Sequence, residues 1–112
     1  MVKRITLPQL KKYDVTQKVI GMLAEAESRA IIFSITRKGK TAAELSEKHK
    51  IPLSSVYKKI SDLEALSLIH VDSWQISEKG RRFKVYKSRI KSAEISIKKP
   101  DATLTLTSND VK

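Results

Sequence analysis

The sequence predicts an α+β fold in which three or four helices are followed by antiparallel strands. Apolar residues recur at spacings of three and four up to about residue 66, which is the period of an α-helix. From Leu68 onward they alternate with polar residues, which is the period of a half-buried strand. The chain has 112 residues, enough for one modest hydrophobic core and too few for two. We therefore expect a single domain.

The first helix is predicted to follow a basic N-terminal arm, residues 1–13, in which Pro8 disfavours a long helix. Asp14 and Gln17 have the spacing of a capping box, and the helix should continue to about Ala24. Its apolar residues at helical spacing are Val15, Val19, Ile20 and Leu23. This spacing predicts that one face of the helix is buried.

A second helix is predicted from near Glu27 to about Lys38. Cations in its last turn complement the helix dipole, and Gly39 can end the helix in a left-handed conformation. The residues expected to face the core are Ile31, Ile32 and Ile35.

Two further helices are predicted on either side of a turn at 50–52. Thr41 and Glu44 form a capping box, which predicts a short helix to about Lys48. The longer helix after the turn should end at about Leu66, and its apolar stripe consists of Leu53, Val56, Ile60 and Leu63. The residues pointing away from this stripe are Ser54, Lys58, Ser61 and Asp62, with Ser55, Tyr57 and Lys59 on its flanks. The exposed face of this helix is therefore polar and can donate hydrogen bonds.

A β-hairpin is predicted after the helices. Residues 68–76 and 81–90 alternate like strands, and a turn at Glu78, Lys79 and Gly80 would fold them into a hairpin with a basic tip. A rival interpretation begins a helix after Gly80. The β-branched and aromatic residues that follow fit strands better.

A second pair of strands is predicted near the end of the sequence. Residues 93–99 and 103–107 alternate, and the residues at 99–102 favour a turn. Residues 108–112 are expected to form a short disordered tail.

The charge of the chain favours a polyanionic partner. The net charge is +11 and the sequence pI is near 10.0, so nucleic acid is the commonest partner that such a field implies. Residues 22–72 hold eight basic and seven acidic groups, whereas residues 73–112 hold ten basic and four acidic groups. A nearly neutral body with basic ends suits a protein that presents a reading element while its flanks hold phosphates.

Several functional classes are disfavoured by the residues that the chain lacks. There is no cysteine, which excludes disulfides and thiolate metal sites. His49 and His70 are far apart, with no carboxylate at a metal-like spacing, so neither a metal site nor a cofactor is expected. No catalytic motif is present, and we expect no enzyme activity. The start has no signal-peptide pattern and no apolar run is of membrane-spanning length, which predicts a cytoplasmic, nucleoid-associated protein with no membrane partner.

Three stretches of the chain carry a family resemblance. The letters "ELS" at 44–46, "IPLSSVYKKI" at 51–60 and "LSLI" at 66–69 resemble the helix-turn-helix of the ArsR-type winged-helix transcription regulators. The later run "QISEKGRRFKVY" at 75–86, followed by two more strands, is similar to archaeal winged-helix regulators with an extended sheet. The resemblance covers roughly residues 19–107 and is strongest at 44–69.

The chain also departs from the family pattern. Lys50 stands at the turn position where the family commonly has glycine, and His49 stands where an apolar residue is usual. These differences predict a distorted turn. The metal-sensing cysteines of the family are absent, so the resemblance implies no metal-sensing function.

The resemblance implies a winged helix-turn-helix over residues 14–90, with residues 91–107 extending its sheet. The implied DNA-contacting residues of the recognition helix are Ser54, Ser55, Tyr57, Lys58 and Lys59. Those of the wing are Lys79, Arg81, Arg82 and Lys84. Two alternatives to these DNA-contacting roles remain open at this stage. In one, the wing is only a solvated charged hairpin; in the other, Tyr57 packs at the edge of the core. Trp74 is interpreted as a sheet-packing or dimer residue.

The expected partner is double-stranded DNA, bound by a homodimer. The candidate interface residues are Val19, Ile20, Leu23, Ile95, Ile97, Leu104 and Leu106. Two rival functions are a winged-helix protein-interaction module of the transcription machinery and a sequence-tolerant nucleoid-associated protein. The sequence identifies neither an operator nor a small-molecule effector.

Overall fold

The fold is α+β, with helices preceding most of the strands. The computed structural model describes residues 2–6, 15–98 and 101–109, with side chains for 15–98 and 102–109. Within these residues there are four helices and five strands. In chain order they are β1 (Val2–Thr6), α1 (Val15–Ala24), α2 (Ala26–Ser34), α3 (Ala42–His49), α4 (Leu53–Ala65), β2 (Ile69–Ile76), β3 (Arg82–Ser88), β4 (Ile90–Lys98) and β5 (Asp101–Ser108). No helix among the described residues has both the length and the apolar character needed to cross a membrane.

The first two helices confirm one predicted boundary and correct another. Helix α1 ends at Ala24 as predicted, whereas the capping box at Asp14 lies outside the described residues. Helix α2 ends at Ser34, and the prediction that it reaches Lys38 is wrong. The reason is tertiary: the carbonyl of Ile35 accepts a hydrogen bond from the backbone N–H of Ser88 on β3 at 2.9 Å, so the chain leaves the helix to run beside that strand.

The role predicted for Gly39 is also wrong. Its φ is not positive, so it is not a left-handed cap. The next residue, Lys40, exchanges two backbone hydrogen bonds with Tyr86 on β3, of 3.1 and 2.8 Å, which brings Gly39 against the strand. A Cβ at Gly39 would lie 2.6 Å from Cγ1 of Val85 and 3.0 Å from the carbonyl oxygen of Tyr86. Glycine is needed here because the backbones approach closely.

We predict that Gly39→Ala destabilises the fold by about 1–3 kcal/mol, because the added methyl group overpacks the contact with β3. The matched control is Gly21→Ala in α1, where nothing lies within 4 Å of the added Cβ. That change should stabilise the protein by about 0.5–1 kcal/mol, since alanine favours a helix interior. Urea unfolding measures both values, and equal effects of the two substitutions would contradict the close approach.

The two helices around the central turn form as predicted. The backbone N–H of Glu44 donates to Oγ1 of Thr41 at 3.2 Å, and the backbone N–H of Thr41 donates to Oε1 of Glu44 at 2.9 Å, which completes the capping box. Lys50 adopts the left-handed conformation with φ 56° and ψ 43°. The turn is therefore kept without the glycine usual in the resembling family, at a steric cost of about 1–2 kcal/mol for a side chain in this region.

The hydrophobic core lies between the helices and the inner ends of the strands. Three of the four residues in the predicted α4 stripe are buried, but Leu53 is 42% exposed, so its assignment to the core is wrong. Leu53 stands at the first position of α4, where its side chain stays partly open to solvent. The buried apolar residues include Val19, Leu23, Ile31, Ile32, Ile35, Leu45, Ile51, Val56, Ile60, Leu63, Leu68, Ile69, Tyr86, Ile90 and Leu104.

The strands form two separate antiparallel sheets. Strands β2 and β3 make the predicted hairpin, and its turn is closed by hydrogen bonds from the backbone N–H of Ser77 to the carbonyl of Arg81 and from that of Gly80 to the carbonyl of Ser77. Gly80 has a φ of 79°, which glycine adopts without strain. The rival helix after Gly80 is excluded. With the helices, this hairpin is compatible with a winged-helix-like arrangement.

The C-terminal strands do not extend the hairpin sheet, which corrects the prediction. Strands β4 and β5 pair with each other, and β1 pairs with β5, in the order β1-β5-β4. The strands are also longer than predicted, because β4 begins at Ile90 and β5 begins at Asp101, which was assigned to the turn. Residues 2–6 of the predicted basic arm are thus a strand, paired with a segment about a hundred residues later.

The prediction that a disordered tail begins at residue 108 is wrong. Ser108 belongs to β5, and Asn109 is held by at least three hydrogen bonds. Its amide Nδ2 donates to the carbonyls of Thr36 at 2.8 Å and Ser88 at 2.9 Å, and its backbone N–H donates to the carbonyl of Arg89. Asn109 therefore ties the end of β5 to the segment after α2. Residues 110–112 lie outside the described part of the chain.

Candidate nucleic-acid interface

The exposed face of α4 contains most of the residues predicted to approach a base edge. Ser54, Tyr57 and Lys58 are exposed, and so are Ser61 and Asp62 one turn later. Ser55 is half-buried. Tyr57 is 51% exposed, so about half of its surface is open to solvent, and the alternative that it packs at the edge of the core stays open. The N-cap residue Pro52 makes no side-chain cap, which leaves the first-turn N–H groups of α4 without that partner. The start of the helix is thus a surface of hydrogen-bond donors.

A groove lies between the start of α4 and the β2–β3 hairpin. It has a volume of about 410 Å³. Leu53 and Tyr57 line it from the helix, and Trp74, Arg82 and Lys84 line it from the hairpin. The groove therefore brings the predicted recognition helix and part of the predicted wing to one surface.

The hairpin side of the groove combines an aromatic ring with two cations. The guanidinium carbon of Arg82 lies 4.7 Å from the centroid of the Trp74 ring, and Nζ of Lys84 lies 5.9 Å from it. Lys84 is the cross-strand partner of Trp74, so both side chains share one face of the hairpin. These distances are within the range of cation–π attraction.

Trp74 is not buried by sheet packing, and its alternative interpretation as a dimer residue stays a prediction. Its side chain is 49% exposed. The alternation of β2 indicates which residues share a face, but it does not indicate whether another element covers that face. Leu53 was likewise missed as a groove residue, because its helical spacing matched the core stripe.

The remaining wing cations lie at or near the tip of the hairpin. Lys79 and Arg81 are exposed, and the backbone N–H of Arg81 donates to Oγ of Ser77 at 3.1 Å. Within the described residues, no intrachain ion pair engages these two cations or the groove residues Arg82 and Lys84. Their charges are therefore available to an external anion.

Lys59 is the predicted site residue that the structure places elsewhere. Its Nζ lies 3.3 Å from Oε1 of Glu25 and 3.7 Å from Oε1 of Glu27, at the junction of α1 and α2. The hydrogen bond donated by Ser28, followed by the contact with Lys59, holds the pKa of Glu25 below its ordinary value. Lys59 therefore links α4 to the preceding helices, and its role as a DNA contact stays a prediction.

The residues predicted for a dimer interface fall into two groups. Val19, Leu23 and Leu104 are buried in the core of the single chain, and Ile20 and Leu106 are partly buried against it. The apolar character of these five residues is thus explained by packing within one subunit. Ile95 is 40% exposed and Ile97 is 69% exposed, both on β4, which lies at an edge of its sheet.

The two histidines lie on different elements of the fold. Nε2 of His49 lies 3.2 Å from Oγ of Ser34, and burial lowers the pKa of this imidazole below its ordinary value. His70 lies on β2. Among the described residues, no group of three or more histidine, aspartate or glutamate side chains is placed to hold a metal ion.

Comparison of the sequence with models of protein families and with curated proteins found no match.

Proposed function

We propose that the protein is a DNA-binding transcriptional regulator with a winged helix-turn-helix fold. In this proposal, α4 reads base edges of duplex DNA and the β2–β3 hairpin holds the sugar-phosphate backbone. The observation that carries the proposal is the shared groove: residues of α4 and cations of the hairpin line one surface. A helix that enters a groove beside a basic hairpin can contact bases and phosphates of the same site.

The chemistry of the α4 surface supports base readout. Lys58 can donate to the O6 and N7 acceptors of guanine, and Ser54 can donate to or accept from any base edge. Residues 22–72 are almost electrically neutral, so a pure phosphate clamp would be unexpected on α4. The hairpin, in contrast, is rich in cations and suits the backbone.

A second candidate is a winged-helix module that docks on another protein. The half-exposed rings of Tyr57 and Trp74 favour it, because exposed aromatic residues are common at protein interfaces. A sequence-tolerant packaging protein is the third candidate. The ratio of affinities for a selected site and for random DNA separates them, since a regulator should prefer its site about a thousandfold or more.

We expect Lys58→Ala to lower the affinity for the preferred DNA site by about 1–3 kcal/mol and the affinity for random DNA much less. The reason is that a base-edge contact is lost only where the matching base is present. Fluorescence anisotropy with both DNAs measures the two affinities. The matched control is Lys18→Ala, which removes the same charge from an exposed position on α1.

Arg81→Ala provides the contrast from the wing. It should weaken binding to both DNAs nearly equally and lower the slope of affinity against salt by about one unit for each phosphate contact removed. If Lys58→Ala leaves the preference for the selected site unchanged, α4 does not read sequence and this part of the proposal is overturned.

We further propose that the regulator is a homodimer that pairs through β4. A single recognition helix reads only a few base pairs, and an edge strand with exposed isoleucines is suited to pairing with another chain. Sedimentation at micromolar concentration should therefore give twice the monomer mass of 12.7 kDa. Ile97→Lys should shift the protein toward monomer, because a charge on an edge strand opposes pairing. A wild-type protein that sediments as a monomer would refute this arrangement.

A further inference from the structure

The groove between α4 and the hairpin has more aromatic surface than backbone binding requires. Arg82 and Lys84 are sufficient to hold a phosphate, yet Trp74 and Tyr57 also line the groove and are each about half exposed. In an intact duplex the flat faces of the bases are covered by their neighbours. An aromatic ring stacks most readily on a base whose flat face is uncovered, as in an unpaired strand.

We propose that this groove binds an unpaired nucleobase, so that the protein prefers DNA in which a strand is open beside a duplex. The inference rests on the proposed DNA binding and adds a second DNA structure to it. The indole of Trp74 stacks on the base, and Arg82 and Lys84 hold the adjoining phosphates. Stacking platforms combined with cations are the usual means of binding single strands, and they tolerate any base sequence.

The charge of the groove favours a nucleic-acid strand over other occupants. Among its described lining residues there is no aspartate or glutamate, whereas Arg82 and Lys84 are both cationic. The surface is therefore complementary to a polyanion. Ordinary apolar protein partners would leave both cations desolvated without a counter-charge.

The size of the groove favours a nucleotide over a folded protein. Its volume of about 410 Å³ falls within the range of about 300–1,000 Å³ that is typical of small-ligand clefts. Stable protein interfaces instead cover about 800 Å² on each partner and are much flatter. A single base with its phosphate matches the volume of this groove.

The geometry at Trp74 leaves room for a second planar partner. Arg82 lies over the ring at 4.7 Å, but about half of the side chain is still open to solvent. Arginine and a base can contact the same indole, since both are planar and both are attracted to its π-face. Arg82 thus contacts the ring, and its charge stays close to the expected path of the nucleic-acid backbone.

The test uses the intrinsic fluorescence of Trp74, which is the only tryptophan in the chain. The full-length protein is titrated with three probes: a perfect duplex, the same duplex with a short unpaired bubble, and single-stranded oligothymidine. We expect the bubble to bind about tenfold more tightly than the duplex, and to quench the fluorescence more strongly, because one stacked base contributes about that factor.

Two variants connect the preference to the ring. Trp74→Ala should reduce the ratio of bubble affinity to duplex affinity to about one, and Trp74→Phe should retain part of it. The matched control, Gln75→Ala, lies on the opposite face of β2 and should keep the full ratio. Anisotropy of labelled DNA gives these ratios, and circular dichroism verifies that each variant is folded.

The possible outcomes separate this inference from the proposed function. Duplex binding with no preference for the bubble overturns the inference and leaves the proposed function standing. Binding to oligothymidine and the bubble without duplex binding supports the inference and overturns the regulator. A bubble preference that survives in Trp74→Ala also overturns the inference, because the stacking residue would then be elsewhere.

Discussion

The affinity for duplex DNA is expected to fall by about a thousandfold to a hundred-thousandfold between about 50 and 200 mM salt. This range follows from about 6–10 phosphate contacts made by the proposed dimer, each of which releases counterions from the DNA. The net charge of +11 and the free cations of the hairpin motivate the estimate. Anisotropy titrations at several salt concentrations give the slope directly.

The salt series also tests the rival functions. A flat response would contradict DNA binding and favour the module that docks on another protein. A steep slope with equal affinity for selected and random DNA would instead favour the packaging protein. The regulator requires both a steep slope and a preference for one site that persists as salt rises, because base-edge contacts depend less on counterions than phosphate contacts do.

Leu63→Ala is expected to destabilise the protein by about 2–5 kcal/mol, which is a large part of the about 5–15 kcal/mol that stabilises a typical domain. Leu63 is fully buried and anchors α4 to the rest of the helices. Its truncation leaves a cavity that the surrounding core cannot fill completely. Urea unfolding measures the change in the free energy of unfolding.

Leu53→Ala is the matched control on the same helix. Leu53 is 42% exposed, so its truncation should lower stability much less than that of Leu63. Because Leu53 lines the groove, the same variant is informative in DNA-binding assays without loss of the fold. Similar destabilisation by both variants would contradict the burial pattern of α4.

The helices were predictable because the signals that define them are local. The capping box of α3 involves Thr41 and Glu44, which are three residues apart. The stripe on α4 repeats within a few turns, and three of its four members are buried. The turn of the hairpin was equally predictable, since Gly80 supplies the positive φ that the turn requires.

The end of α2 and the arrangement of the sheets depended on contacts that no local pattern contains. Helix α2 stops because Ile35 and Lys40 pair with β3, some fifty residues later in the chain. The close contact at Gly39 results from this pairing. Likewise, residues 2–6 have no obvious strand signal, and they become a strand by pairing with β5. Backbone hydrogen bonds to a distant segment outweighed local preference in each case.

The features of the candidate site also divide into those set by local sequence and those set by long-range contacts. The sequence by itself determined that one face of α4 is polar and that the hairpin is basic, because helical period and charge are properties of short segments. Only the tertiary structure decided that Lys59 is engaged by Glu25, a residue 34 positions earlier. It also decided that Trp74 stays exposed beside Tyr57, since the cover over a strand face depends on which other elements pack there, and this chain places none over Trp74 among the described residues.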